Sequence, residues 1–513
     1  MSKKVSRREF ARTSAAVGAA AIAIPDALLT KTPPATSSSE TTMAKGAAAA
    51  RRFIAPPPAV GYGGELASAG AEFRDDIALA HTAAIQSQSG TAATVGTWRE
   101  GTTIPAEYYV DEKYYAHDEH FLAENMWFMA DHVSRIPKPG DYFVFEFGRG
   151  DSVIVLRDHA GNVKAFHNVC RHRGSRLCRH DEDPAPKDKR LSVTQLESTG
   201  NTPVFRCPYH AWTYNLDGRL ISVPSGMPAD FDMAQNGLHP CHMHIVEGLV
   251  FVSLAQGEPP EFEPFVKNFR AIAQEYGTAK MKVAARISYP TKANWKLALE
   301  NFQECYHCGP AHRSLVRAHP FWDGTMPPEQ RARLEKQLDA VVATAQPTAT
   351  AVGGMAAGAP NRYRGGVLNV NFLSGSLDGK PVSMLLPNFK EWSHRGKISN
   401  SGWMTSNLQC YDDHIAAVRF VPRGVMNTDA EIIWLVNAEA KEGKDYQADR
   451  LTALWDITML EDKWIVENNH LGIQSGRYRS GRYASTETGP TRLITWYMTQ
   501  VVPSFSQSRT AAD

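Results

Sequence analysis

The sequence predicts an α+β protein: a small all-β domain, then a larger domain in which a curved antiparallel sheet wraps a long helix near the C-terminus. Three observations predict this. From about Pro137 to Leu254, apolar residues alternate with polar ones in short runs separated by Gly/Asn/Asp turns, the period of half-buried strands. Past Pro259 the pattern is mixed, with a helix-period stretch followed by more alternating runs. Finally, Tyr446 to Gly472 holds a helical period over a length that few globular helices reach.

Taken in order, residues 1–30 read as an export signal. Ser6-Arg-Arg-Glu-Phe-Ala-Arg12 matches the twin-arginine pattern, and the apolar run Ser14 to Ile24 is too short to span a bilayer. A periplasmic location follows if the signal is used, a cytoplasmic one if it is not. Residues 31–102 are rich in Ala, Pro, Ser, Thr and Gly without period, and read as a disordered arm, so packing is expected to begin near Thr103. Residues 103–136 carry helical spacing from Pro105 to His132, with Asp111 available as an N-cap, and are expected to pack on the larger domain.

Residues 137–256 form the all-β domain. Its strands are Asp141–Phe147, Ser152–Arg157, Val163–Val169, Val204–Arg206, Trp212–Tyr214, Leu220–Val223 and Gly248–Leu254. Residues 257–508 form the mixed domain. It has a helix from Phe262 to Tyr276 and strands at Met281–Tyr289, Gly366–Phe372, Val382–Leu386, Ile415–Val421 and Glu431–Asn437. The Ala/Gly/Pro-rich stretch 326–366, with a charged helical piece from Pro328 to Thr344, is expected to lie over the mouth of a site.

Composition narrows the function. A net charge of +1 gives no basis for bulk binding to nucleic acid or an anionic membrane. Seven cysteines, several beside histidines, suggest reduced thiolates that bind metal rather than a disulfide scaffold. Two loops carry the pairs Cys170-Arg-His172 and Cys207-Pro-Tyr-His210. Two thiolates and two imidazoles suit a [2Fe–2S] cluster of mixed ligation, or a tetrahedral zinc site made of the same atoms. Zinc fingers pair Cys with Cys and His with His, whereas each pair here is mixed, which favours the cluster.

A second constellation lies in Asn294 to His312, which holds Glu304, His307 and His312. Two imidazoles and a carboxylate make the face of a non-haem Fe(II) site. Glu304 and His307 would share one side of a helix, and Gly309-Pro310 should break that helix so that His312 can swing back. The carboxylate should come from the last long helix, where Asp456, Glu461, Asp462 and Glu467 are the candidates.

The runs NVCRHRGSRLC, FRCPYHAWTYNLDGRL and ENFQECYHCGPAH resemble the large subunits of Rieske ring-hydroxylating oxygenases. The resemblance covers about Pro105 to Thr499 and implies a helix-grip catalytic domain. It implies that Cys170 and Cys207 hold one cluster iron and His172 and His210 the other, and that His307, His312 and Asp462 hold a mononuclear Fe(II). Asp462 is singled out because Glu461 to Tyr478 resembles the family's terminal pattern, with His470 where Gln is usual. Asn301 would stand beside the iron. Glu304 would bridge a cluster histidine of one subunit to an iron histidine of its neighbour in a homotrimer. Respiratory Rieske proteins usually carry an extra cysteine in each loop, and the second loop here has none.

The same resemblance implies O2 as co-substrate and electrons from NAD(P)H through a separate reductase or ferredoxin, a donor that a periplasmic enzyme would have to replace. The departure is the length between the ligand pairs: thirty-four residues separate His172 from Cys207, with a polar insertion from Asp181 to Asn201 that should form a surface loop. Glu at position 304, where aromatic-ring dioxygenases usually have Asp, resembles the branch acting on glycine betaine, carnitine and stachydrine. A quaternary ammonium would need an aromatic cage, for which Tyr306, Trp403, Tyr411 and Trp434 are available. Arg313 and Arg317 would disfavour a cation if they faced the pocket. The expected reaction is hydroxylation or oxidative demethylation; an aromatic-ring dioxygenase or an exported electron-transfer protein are the alternatives.

Overall fold

The computed structural model describes residues 94–505, apart from 97, 182, 184–193, 321–322, 324–325, 331, 335, 337–361, 370, 393–396 and 404. The signal at 1–30, nearly all of the arm and most of the segment over the site mouth lie outside the described residues. Order begins earlier than Thr103: β1 (Thr94–Val95) pairs with β2 (Trp98–Arg99), and the Trp98 side chain is buried. Helices α1 (Glu107–Val110) and α2 (Glu112–Asn125) follow. Asp111 caps α2 as expected, its carboxylate accepting the Lys113 N–H at 2.9 Å.

The helical reading fails at β3 (Phe128–His132), which is a strand buried at every position. It adds to β12 (Leu249–Ser253), which pairs with β11 (His242–Val246). A segment buried on both faces carries no period-2 signal, so tertiary pairing decides its state. A four-stranded sheet has the order β6-β5-β4-β7, from β4 (Asp141–Phe147), β5 (Asp151–Arg157), β6 (Val163–His167) and β7 (Thr199–Asn201). A smaller sheet joins β8 (Phe205–Arg206), β9 (Thr213–Tyr214) and β10 (Leu220–Ser222). Tyr142, Ile154, Phe166, Leu177 and Tyr214 are among the side chains of the core between them. The polar insertion lies largely outside the described residues; its end returns as β7 on the edge of β4.

Helix α3 (Phe262–Tyr276) ends at Gly277, whose φ of 71° supplies the left-handed cap, and leads into the larger domain. Its sheet has the order β13-β18-β17-β16-β15-β14 and is antiparallel throughout. The strands are β13 (Met281–Thr291), then β14 (Arg362–Val367), β15 (Lys397–Trp403), β16 (Ser406–Cys410), β17 (Ile415–Gly424) and β18 (Asn427–Asn437), and between β13 and β14 run α4 (Trp295–Phe302), α5 (Cys308–Ala311) and α6 (Arg313–Ala318). The long helix α7 (Ala448–Ile473) packs on β13, α4 and α6, and α8 (Thr488–Trp496) follows it, running on into a π-helical turn at Tyr497–Val501. The sheet-around-helix expectation holds. Strands β15 and β16 went unpredicted, whereas the segment from Val382 to Leu386 is a loop, tied down where the Asp413 carboxylate accepts the Val382 N–H at 2.8 Å. Among the described residues no helix is long and apolar enough to cross a membrane.

Candidate metal centres

Asn294 starts the first site by capping α4, its side chain accepting the Lys296 N–H at 3.1 Å. The amide N–H of Asn294 itself donates to Nδ1 of the buried His470 at 3.2 Å, fixing the start of α4 to the end of α7. Helix α4 stops at Phe302, before the two groups expected to share it. Glu304 and His307 occupy a turn, in which the Cys308 N–H donates to the Cys305 carbonyl at 3.3 Å. Gly309 and Pro310 lie inside α5 rather than breaking a helix, since a proline in the first turn has no N–H that needs a partner. His312 then joins α5 to α6 with φ −117° and ψ 71°, outside the helical region. Two breaks, one on each side of α5, therefore do what one was expected to do.

The result is a triangle of ligand atoms. His307 Nε2 and His312 Nε2 are 3.1 Å apart, and Asp462 Oδ1 on α7 is 3.2 and 3.0 Å from them. Ligands at adjacent corners of an octahedral ion, with bonds of about 2.1 Å, stand about 3 Å apart, so this face fits a divalent transition metal. The outer nitrogens are held as well. His307 Nδ1 donates to the Glu304 carboxylate, and His312 Nδ1 donates to Glu461 Oε2 at 2.9 Å, which turns both Nε2 atoms inward. Asn301 Nδ2 lies 3.2 Å from His307 Nε2 and lines a small cavity with Ala298, Phe302, Met459 and Asp462.

Without metal the triangle holds protons. Burial disfavours a charged imidazole, yet hydrogen bonds to Asp462 and Glu304 outweigh it at His307 and raise its pKa to about 10. Burial opposes charge at His312 too, and its bonds to Asp462 and Glu461 bring it to about 9. The same imidazoles overcome burial at Asp462 and hold it down at about 2. The other carboxylates of α7 are engaged elsewhere: Asp456 Oδ1 accepts the Tyr289 hydroxyl at 2.8 Å, and Glu467 Oε1 accepts the Lys292 N–H at 2.9 Å.

The second set sits on the loops after β6 and between β8 and β9. The Gly174 N–H donates to the Cys170 carbonyl at 2.9 Å and the Ala211 N–H to the Cys207 carbonyl at 3.1 Å, so each Cys/His pair is wound into a tight turn. Cys170 and Cys207 are buried, and His172 Nδ1 lies 3.1 Å from His210 Nδ1. Two thiols and two facing imidazole nitrogens fit the mixed ligation of a [2Fe–2S] cluster. The Tyr214 hydroxyl stands 3.2 Å from Cys170 Sγ, and Trp212 stacks on His172 at 4.8 Å. Tyr209, beside His210, is 56% exposed.

One pairing went unpredicted. Not all cysteines are reduced: Cys305 and Cys308 form a disulfide within the turn that carries His307. Of seven cysteines, Cys170, Cys178, Cys207, Cys241 and Cys410 are free. Local spacing brings the two sulfurs together, with Cα atoms 4.8 Å apart, and the reading of composition had no means to see it. Among the described side chains, the cage candidates Tyr306, Tyr411 and Trp434 share no ring contact; the side chain of Trp403 lies outside them. Tyr306 is exposed, and Tyr411 is buried against His414, His319 and Trp455.

The comparisons with known proteins agree with this geometry. The Rieske [2Fe-2S] domain family matches residues 126–234, and the ring hydroxylating alpha subunit (catalytic domain) family matches residues 278–502. The glycine betaine monooxygenase oxygenase subunit of Pseudomonas aeruginosa (strain UCBPP-PA14) is 31% identical over 414 residues, 79% of this chain and 90% of that relative. The chain belongs to the Rieske ring-hydroxylating oxygenases.

The carnitine monooxygenase oxygenase subunit of Escherichia coli (strain K12) is 30% identical over 233 residues, 44% of this oxygenase and 56% of that one. The crystal structure of the quaternary ammonium Rieske monooxygenase CntA with gamma-butyrobetaine shares the fold, with a TM-score of 0.56 at 20% identity over 78% of this chain and 96% of that one. Naphthalene 1,2-dioxygenase from Rhodococcus sp. does so with a TM-score of 0.53 at 20% identity, over 78% and 94% of the two chains. The protein is an oxygenase component that works with O2, a Rieske cluster, a mononuclear iron and a separate electron-donating reductase. An electron-transfer protein without oxygenase activity is not favoured.

Proposed function

We propose that this oxygenase hydroxylates an N-methyl group of a small betaine-type quaternary ammonium compound. The overall change is R–N(CH3)3⁺ + O2 + 2 e⁻ + 2 H⁺ → R–NH(CH3)2⁺ + HCHO + H2O, through a hydroxymethyl ammonium that loses formaldehyde. The observation that carries the reading is the relative that acts on glycine betaine, which aligns over 90% of its length. Glu304, in place of the aspartate usual in aromatic-ring dioxygenases, supports it. So does the exposure of Arg313 and Arg317, which removes the objection that they would repel a cation.

In this reading His307, His312 and Asp462 hold Fe(II), and Cys170, Cys207, His172 and His210 hold the cluster. When bound, the iron and the cluster supply O2 activation and single-electron delivery. The protein's own part is to aim both Nε2 atoms through Glu304 and Glu461, and to place Asn301 beside the open side of the triangle. Glu304 also links His307 to the half-buried His210 of a neighbouring subunit, which makes a homotrimer the working unit. The test is substrate-dependent O2 uptake with a surrogate reductase and formaldehyde detection, across glycine betaine, carnitine, stachydrine and aromatic acids. Uptake coupled to formaldehyde with a betaine supports the proposal. Uptake with an aromatic acid and no formaldehyde refutes the substrate class.

A further inference from the structure

The disulfide brackets His307. Cys308 is the first residue of α5, 3% exposed, and His312 follows four positions later on the same side of the turn, its N–H donating to the Cys308 carbonyl at 2.8 Å. Cys308 Sγ, one ring nitrogen of His307 and one of His312 all lie within 4.8 Å of one another. A sulfur thus stands near the two imidazoles of the proposed iron face, bonded to Cys305 and packed in the core.

We infer that Cys305 and Cys308 form a redox-controlled guard that decides which metal this site holds. The inference rests on the assignment of His307, His312 and Asp462 as metal ligands. As a disulfide, the pair keeps sulfur out and leaves two imidazoles and a carboxylate, a set suited to Fe(II) with positions open for O2. A dithiol reductant delivers two electrons and two protons, breaks the S–S bond and is itself oxidised to a disulfide. Cys308 is then free to turn. Around a tetrahedral zinc, with bonds of about 2.0 Å to nitrogen and about 2.3 Å to sulfur, N and S are about 3.5 Å apart, so Sγ has to move closer to the two rings. On binding zinc the thiol gives its proton to solvent. Zinc already outcompetes Fe(II) for most ligand sets, and a thiolate widens the gap. The reduced site becomes a closed Cys/His/His/Asp zinc site with no room for O2. Oxidised thiols thus keep the enzyme loadable with iron.

The experiment supplies equimolar Fe(II) and Zn(II) anaerobically to the full chain carrying its cluster, as isolated and after dithiothreitol has been removed by gel filtration. Metal content, acid-labile sulfide, free thiols and the zinc X-ray absorption edge are read. Reduction should lower the Fe:Zn ratio at the mononuclear site at least tenfold and add a zinc–sulfur shell, with labile sulfide unchanged. Cys305→Ser should show that shell without reductant, and Cys308→Ser should never show it. If Cys305→Ser fails to fold, reduced wild type carries the same comparison. Zinc with only nitrogen and oxygen neighbours in the reduced protein, or a sulfur shell that survives Cys308→Ser, overturns the inference and leaves the ligand assignment standing. An oxidised chain in which His307→Ala changes no metal content overturns the assignment, and the inference with it.

Discussion

Replacing Glu461 by alanine is expected to weaken iron binding at the mononuclear site about 100-fold, although Glu461 is not itself a proposed ligand. Its carboxylate accepts the Nδ1–H of His312 at 2.9 Å, which fixes the tautomer that presents Nε2 to Asp462 3.0 Å away. Loss of such an outer partner costs about 10–100-fold in metal affinity, or about 1.4–2.7 kcal/mol. Glu461→Gln keeps an oxygen able to accept from Nδ1 and should fall at the mild end, near tenfold, because only the charge is lost. The assay is Fe(II) titration of chains with the mononuclear site emptied and the cluster intact, with Asp456→Asn as the control on the same helix. Asp456 bonds the Tyr289 hydroxyl at 2.8 Å, away from the triangle. An unchanged Kd in Glu461→Ala, or an equal loss in Asp456→Asn, refutes the argument.

Other changes have equally definite outcomes. Lys296 and Asp118 form a fully buried pair next to Trp295, so Lys296→Met should cost about 3–5 kcal/mol in denaturant unfolding by leaving Asp118 uncompensated, and Lys296→Met/Asp118→Asn should recover most of it. A double variant as unstable as the single one would show that charge is not the cause. Glu300 lies on α4 between the Tyr109 and Tyr483 hydroxyls at 2.8 and 2.6 Å, and burial raises it from 4.5 to about 7. Its folded pKa is the higher one, so its contribution is full below about pH 4.5 and is lost as pH rises to about 7, a change of about 3 kcal/mol. Glu300→Gln should flatten the stability profile in that window, and an unchanged profile would refute this. Tyr214→Phe removes a hydroxyl 3.2 Å from Cys170 Sγ and should lower the cluster potential by about 20–60 mV, read by redox titration; no shift would show that the bond is absent in the assembled cluster.

The parts of the fold that could be read in advance were those with a clean period or a run of strand-forming residues. Helix α3 runs from Phe262 to Tyr276 as expected because one face is buried and the other is not, and β4 runs from Asp141 to Phe147 as expected because its Tyr, Phe and Val residues favour a strand, although both of its faces are buried. Strand β3 was misread because both of its faces are covered. Strands β15 and β16 were missed; KISNSGW and SNLQC are too polar or too short to stand out, and sheet pairing holds them. In the site, the residue types of both metal sets were legible from spacing and resemblance, and the structure gathers His307, His312 and Asp462 into one face. Which carboxylate of α7 faces the imidazoles was not legible from periodicity, because Glu461 and Asp462 are neighbours. The fold separates them: Asp462 meets the Nε2 atoms of both rings, whereas Glu461 lies behind His312. The disulfide had no signal beyond the Cys-x2-Cys spacing that it shares with thiolate metal sites.

The central claim is that one chain holds a [2Fe–2S] cluster on Cys170, His172, Cys207 and His210 and a separate iron on His307, His312 and Asp462. Metal and sulfide analysis of the wild type beside His307→Ala tests it most directly. The expected result is about three irons per chain in the wild type, about two of them accompanied by acid-labile sulfide, and in the variant loss of the third iron alone with the cluster spectrum unchanged. Zinc in place of the cluster, or a His307→Ala protein that keeps all its iron, would contradict it.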